Sequence, residues 1–270
     1  MMKFNKLISV ICVSAAILLT NSITAFAEAD PKLWPVMKEA FFEKRAMKEV
    51  TFMKVEAAKR AESGAQVPVT YKIDSAAAKA AGVKIVKLYS FVDANPIPLT
   101  AVYHLTDALG EFNLSTRIRF ETDAFVRLVG ETADGKLYLA SRVIRAAGGC
   151  GGTVANDEAA VRASAGRMRM KVVTPKKFGT PTSAKVNIKH IMRTGLQRDL
   201  VSQGFLPPFY IKTAKFTYAG KPLMTIDVGV GTAEDPYFKF NFIPKAPGKF
   251  ELVATDNEGK VFKKAFDVKN

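Results

Sequence analysis

Leu128-Val-Gly-Glu-Thr-Ala-Asp-Gly-Lys-Leu-Tyr-Leu-Ala-Ser-Arg142 decides the fold. Two runs of strand-forming residues flank Asp134-Gly135, a pair suited to the left-handed backbone angles of a two-residue hairpin. The segment therefore reads as two antiparallel strands. Upstream, Val67-Pro-Val-Thr-Tyr-Lys-Ile73, Val83-Lys-Ile-Val-Lys-Leu-Tyr89, Thr116-Arg-Ile-Arg-Phe-Glu-Thr122 and Phe125-Val-Arg-Leu-Val129 alternate with period two or run apolar between Gly and Asp residues, as strands do. Asp93-Ala-Asn-Pro-Ile-Pro98 is a loop, because two prolines exclude a central strand.

Downstream the strand pattern resumes after a linker marked by Pro175, Gly179 and Pro181. Residues 184–188, 211–218, 223–228, 237–242, 248–254 and 260–266 each alternate, with turns at Ala219-Gly-Lys-Pro222 and Asp256-Asn-Glu-Gly259. Short strands at this spacing predict a β-sandwich in each half of the chain. Two segments break the pattern. Pro31 to Glu49 carries Leu33, Met37, Ala40, Phe41 and Met47 at helical spacing, which predicts an amphipathic helix. Thr153 to Met170 is also helix-consistent, with Asn156 as a candidate N-cap, Asp157 and Glu158 in a first turn, and Arg167 and Arg169 late, although Gly166 weakens it.

Between the two halves lies Gly148-Gly149-Cys150-Gly151-Gly152. Glycine reaches backbone angles closed to other residues, so two on each side predict a mobile, sterically bare arm that carries the Cys150 thiol. The competing reading is a linker in which Cys150 is incidental. Compartment weighs against it. Lys3 and Lys6, the apolar run Leu7 to Leu19 and Ala25-Phe-Ala27 read as a secretory signal over residues 1–27, too short to span a bilayer, and no later segment resembles a membrane helix. Its removal leaves Cys150 as the one cysteine of a periplasmic chain, where an unused thiol is a liability and a disulfide dimer through Cys150 is open to it.

Charge is uneven. Residues 28–150 carry 18 basic and 15 acidic side chains, residues 151–270 carry 20 and 10. Export makes nucleic acid an improbable ligand, and the Lys and Arg residues are scattered along strands rather than gathered in a stripe. An acidic partner surface or small anions fit better. Candidate chemistry is thin: a cysteine hydrolase needs a base, and only His104 and His190 are available, both more readily structural. One cysteine and two separated histidines make no metal cluster, no C-x-x-C pair exists, and Gly148 to Thr153 lacks the lysine of a phosphate loop. The residues thus predict no enzyme, no cofactor and no metal. A helix N-terminus close behind the arm would lower the thiol's pKa.

Asn95-Pro-Ile-Pro-Leu99, Ser115-Thr-Arg-Ile-Arg119, Ala133-Asp-Gly-Lys136 and Gly148-Gly-Cys-Gly-Gly152 resemble the SoxY subunit of the periplasmic Sox thiosulfate-oxidation system, in order and spacing. His190-Ile-Met-Arg-Thr-Gly195, Ala219-Gly-Lys-Pro222, Asp235-Pro-Tyr237 and Asp256-Asn-Glu-Gly259 resemble SoxZ. Taken together, the two halves resemble the fused group called quinoprotein dehydrogenase-associated SoxYZ-like carriers. This resemblance implies a mainly β chain of two immunoglobulin-like sandwiches with an N-terminal helix and a Gly-rich arm. Cys150 is then the covalent attachment point for sulfur cargo, with Gly148, Gly149, Gly151 and Gly152 as its flexible arm. The implied partners are periplasmic redox enzymes, either Sox-type or a quinoprotein (PQQ) dehydrogenase and its cytochrome, and docking to the latter with Cys150 secondary is the alternative function. The expected order is a helical segment at 28–66, a SoxY-like sandwich at 67–147, arm and linker helix at 148–182, and a SoxZ-like sandwich at 183–270. Two departures stand out. In standalone SoxY the arm is a free C-terminus, whereas here 118 residues follow Gly152; and Ile191 and Arg193 stand where SoxZ has proline and glutamate.

Overall fold

The computed structural model describes residues 29–146, 148–149, 151–154 and 157–269. The expected leader at 1–27, Cys150 and the candidate cap Asn156 lie outside the described residues. The chain is mainly β. Helix α1 (Leu33–Phe42) precedes strands β1 (Met47–Glu49), β2 (Met53–Glu56) and β3 (Val67–Ile73). Helix α2 (Ser75–Ala80) follows, then β4 (Ile85–Val92), β5 (Leu99–Leu105), β6 (Asn113–Ile118), β7 (Ala124–Thr132) and β8 (Leu137–Ile144). The short β9 (Gly152–Val154) and helix α3 (Glu158–Ser164) lead into β10 (Met168–Val172), β11 (Thr182–Ile188), β12 (Gln197–Asp199), β13 (Ile211–Tyr218), β14 (Lys221–Val228), β15 (Tyr237–Phe242), β16 (Gly248–Asp256) and β17 (Val261–Val268).

The two sandwiches are fused edge to edge. A nine-stranded sheet runs β1-β8-β7-β4-β5-β14-β13-β16-β17, and a six-stranded sheet runs β10-β11-β15-β6-β3-β2. Each large sheet carries a strand pair across the joint: β5 pairs with β14 from Ala101↔Val228 to Leu105↔Met224, and β6 pairs with β15 at Leu114↔Phe240 and Ser115↔Lys239. Pairing uses up edge strands that would otherwise offer unpaired N–H and C=O groups to other chains. One core results. A single apolar cluster extends from Phe52 and Met53 through Leu114 and Phe120 to Phe216, Phe240 and Phe250. On the other side of the large sheet, Trp34 and Phe42 of α1 cover Phe91, Val129, Leu137 and Leu139, with Phe42 and Phe91 edge to face at 5.9 Å.

Three local expectations are corrected. The first helix stops at Phe42, and Met47–Glu49 instead pairs in parallel with Leu137–Leu139, because satisfying the open edge of β8 outweighs a further helical turn. The β7–β8 turn is longer than two residues. Gly135 N–H bonds to the Thr132 carbonyl, Thr132 N–H bonds to that of Lys136, and only Gly135 has positive φ. This is a turn closed by one left-handed glycine rather than two left-handed positions. Finally, the linker helix is confined to residues 158–164. Gly166 at φ +81°, where a Cβ would sit 1.9 Å from the Phe262 ring, ends it, and Arg169 lies on β10 paired to β11.

Candidate functional site

The chain enters the arm from β8 under tight control. Ala146 N–H is held by the Asp123 carboxylate and Gly148 N–H by the Glu121 carbonyl, each at 2.9 Å. Gly148 takes φ +73°, a conformation that costs other residues. Gly149 is buried, and a Cβ there would lie 2.1 Å from the Gly64 carbonyl oxygen and 2.6 Å from that of Phe120. Phe120 N–H itself bonds to Gly64 O at 2.8 Å, so Gly149 passes directly over a backbone junction. Its glycine serves close approach.

The far side of the arm is anchored differently. Gly152, Thr153 and Val154 pair in parallel with Gln197, Arg198 and Asp199 of the second domain. Gly151, between the anchors, is exposed, and a Cβ there would meet only Leu196 O at 3.9 Å. The buried Gln197 side chain stiffens this platform, since its Oε1 accepts from both the backbone N–H and the hydroxyl of Thr194. Helix α3 begins only after β9, and its first-turn N–H of Ala160 is already taken by the Asp157 carboxylate. The polar end expected close behind the arm is thus self-capped.

The loop 190–195 leads into this platform and is bonded to it through Thr194 and Gln197. Arg119 of the first domain, itself buried, donates to the carbonyl oxygens of Met192, Ile191 and Val230. Arg193 is also buried and reaches Glu158 Oε2 of α3 at 2.8 Å, holding the Glu158 carboxyl below its ordinary pKa. Arg162 of the same helix pairs with Glu258 at 2.6 Å and lies over the Phe209 ring. Arg193, one of the two residues that depart from the expected SoxZ-like pattern, therefore ties down the helix that follows the arm.

His190 is buried in this loop against Phe209, with ring centroids 4.4 Å apart. Its Nδ1 accepts from Met192 N–H, and burial lowers its pKa to about 4, a shift that the nearby carboxylates of Asp256, Asp235 and Glu258 only partly oppose. It is a neutral, structural imidazole at neutral pH. His104 sits on the domain joint, with Nε2 2.7 Å from Asp227 Oδ2 on the neighbouring strand β14. Among the described residues no group of three or more His, Cys, Asp or Glu is arranged to hold a metal ion, and no helix is long and apolar enough to cross a membrane.

This geometry is a two-domain β protein that suspends a one-cysteine arm between its halves. The family model for sulfur oxidation protein SoxY matches residues 38–150, ending on Cys150, and that for sulphur oxidation protein SoxZ matches residues 169–267. The chain is a SoxY domain fused to a SoxZ domain, and belongs with these sulfur-oxidation proteins. No curated protein sequence matches it. Among solved structures, the sulfur carrier protein SoxY from Chlorobium limicola f thiosulfatophilum is 25% identical over 42% of this chain and 91% of its own, with a TM-score of 0.34. A superoxide reductase (neelaredoxin) from Ignicoccus hospitalis is 16% identical over 42% of this chain and 87% of its own, with a TM-score of 0.29.

Proposed function

We propose that this chain is a periplasmic carrier that holds a sulfur intermediate covalently on Cys150 and presents it to partner redox enzymes, without catalysing a reaction itself. The observation that carries the reading is the setting of the SoxY-matched span's last residue: Cys150 is the sole cysteine after the leader, and both of its flanks are anchored to the fold. In the loading step the Cys150 thiolate and the sulfur of a sulfur nucleophile form an S–S bond, and the two electrons released pass to a redox partner. In the unloading step a second partner directs water onto the outer, oxidised sulfur. That sulfur leaves with the water oxygen, and the Cys150 side keeps the electron pair of the broken bond. A thiol of pKa about 8.5 is mostly protonated at neutral pH, so the partner's site has to draw off the proton.

Anchoring limits the stroke. From Gly149 to Gly152 there are three Cα–Cα steps, about 11 Å fully extended, so a partner receives the arm together with the surfaces beside it. The partners are Sox-type enzymes or a quinoprotein dehydrogenase with its cytochrome. The test is the intact mass of protein isolated from the periplasm, before and after a thiol reductant. A reducible adduct on wild-type protein that is missing from a folded Cys150→Ser variant is expected; a bare thiol in wild type, or an adduct that persists in the variant, overturns the reading.

A further inference from the structure

The outward side chains of the six-stranded sheet form a cationic field. One cross-strand row runs Lys171↔Lys185↔Lys239↔Ser115↔Thr70↔Glu56 and crosses all six strands. Its first three members are lysines in direct register, all exposed. The adjacent row places Arg169 opposite Asn187 and Asn187 opposite Tyr237, and the Arg117 guanidinium lies 5.1 Å from the Tyr237 ring centre. Lys185 reaches the same ring at 5.5 Å. Farther along, Lys72 and Lys54 are opposite each other, and Lys72 pairs with Glu56, the sole outward carboxylate on these six strands. Arg169, Lys171, Lys185, Lys239 and Arg117 form no ion pair among the described residues.

Like charges directly opposite on neighbouring strands are destabilising, so three lysines in one row weaken the fold they sit on. The outer face of the nine-stranded sheet lacks this bias: Lys215, Lys249 and Lys263 share it with Asp227, Glu251 and Asp267, and Lys249 stands opposite Asp267. Basic side chains that are dispersed in sequence between residues 54 and 239 are thus gathered on one surface by strand pairing alone.

We propose that the outer face of the six-stranded sheet docks a protein with an acidic surface patch. The cations are spread over a flat, polar sheet with a tyrosine at its centre flanked by arginine and lysine, and Tyr and Arg are characteristic of protein interfaces. A single aromatic already flanked by cations is a poor stacking platform for single-stranded nucleic acid. The face presents no outward Leu, Ile, Phe or Trp to insert into a bilayer. The assignment does not depend on Cys150 carrying cargo.

The experiment compares two triple variants of the full chain that lose equal charge: Lys171→Gln, Lys185→Gln and Lys239→Gln on this face, and Lys215→Gln, Lys249→Gln and Lys263→Gln on the other. The probes are fluorescent polyglutamate, vesicles containing phosphatidylglycerol, and mixed-sequence duplex DNA. Polyglutamate is expected to bind with an affinity that falls as salt rises, to lose about tenfold with the first triple and to change less than about twofold with the second. Equal loss from both triples, no polyglutamate binding, or tighter binding of vesicles or DNA at this face overturns the proposal. Folding is controlled with Lys185→Glu, which places opposite charge between Lys171 and Lys239 and should raise Tm while also weakening polyglutamate. A lower Tm for Lys185→Glu would remove the argument from like-charge register.

Discussion

The Nη1 of Arg119 donates to the carbonyl oxygen of Met192 across 2.5 Å, so a first-domain side chain closes a second-domain loop. The same guanidinium also reaches Ile191 O and Val230 O. Removing it leaves buried carbonyls without their donor. Arg119→Ala should cost about 3 kcal/mol in urea unfolding, and Arg119→Lys, which keeps a charge but not the planar fork, should recover only part of that. A loss below about 0.5 kcal/mol for Arg119→Ala would show that the loop holds without it.

The two glycines beside Cys150 should answer differently to a methyl group. Gly149→Ala drives a Cβ into the Gly64 and Phe120 carbonyls, neither of which is a flexible side-chain end, and should cost about 1–3 kcal/mol. Gly151→Ala meets nothing closer than 3.9 Å and should stay within about 0.5 kcal/mol. Thermal unfolding of both variants, with limited proteolysis at the arm, checks the contrast. Equal effects at the two positions would contradict the anchoring at Gly149.

His190 sets an acid limit. The buried ring resists protonation until about pH 4, while the unfolded chain takes up its proton near the ordinary value of 6.5. Its contribution is therefore complete above about pH 6.5 and is lost as pH falls towards 4, up to about 3 kcal/mol in all. His190→Asn cannot titrate and retains an acceptor for Met192 N–H. The stability difference between wild type and this variant should shift in favour of the variant across that window; a pH-independent difference would exclude the ring as the cause.

Because both sheets cross the domain joint, the chain should unfold in one transition. Calorimetric and van't Hoff enthalpies are expected to agree, since melting one half would expose the β5 or β14 edge and the core behind it. Two resolved transitions would mean the joint is weaker than its pairing suggests.

Much of this architecture was legible from alternation and turn residues, which report what each strand buries. Strand partners were not, because cross-strand register depends on residues far apart in the chain. That is why Lys171, Lys185 and Lys239 look scattered in sequence and stand in one row in space. The same blindness affected Gly149, whose neighbours Gly64 and Phe120 are set by topology; its glycine looked like freedom and is a tight fit. Met47–Glu49 and Arg169 kept helical spacing in sequence, but a sheet edge captured each. Cys150 stands out in the sequence from its four flanking glycines and the scarcity of cysteine, whereas its anchors at Glu121 and Gln197 carried no local signal. Arg193 was visible as a departure from a pattern, and its reason, Glu158, emerges only when α3 folds back onto the loop.

Carrying both β5 and β14 on one chain also fixes stoichiometry. Two separate chains that meet through sheet edges come apart on dilution, whereas here the second half is always present at the effective concentration of a covalent tether. Every arm therefore comes with its own platform, in a ratio of one to one that neither expression level nor subunit exchange can alter.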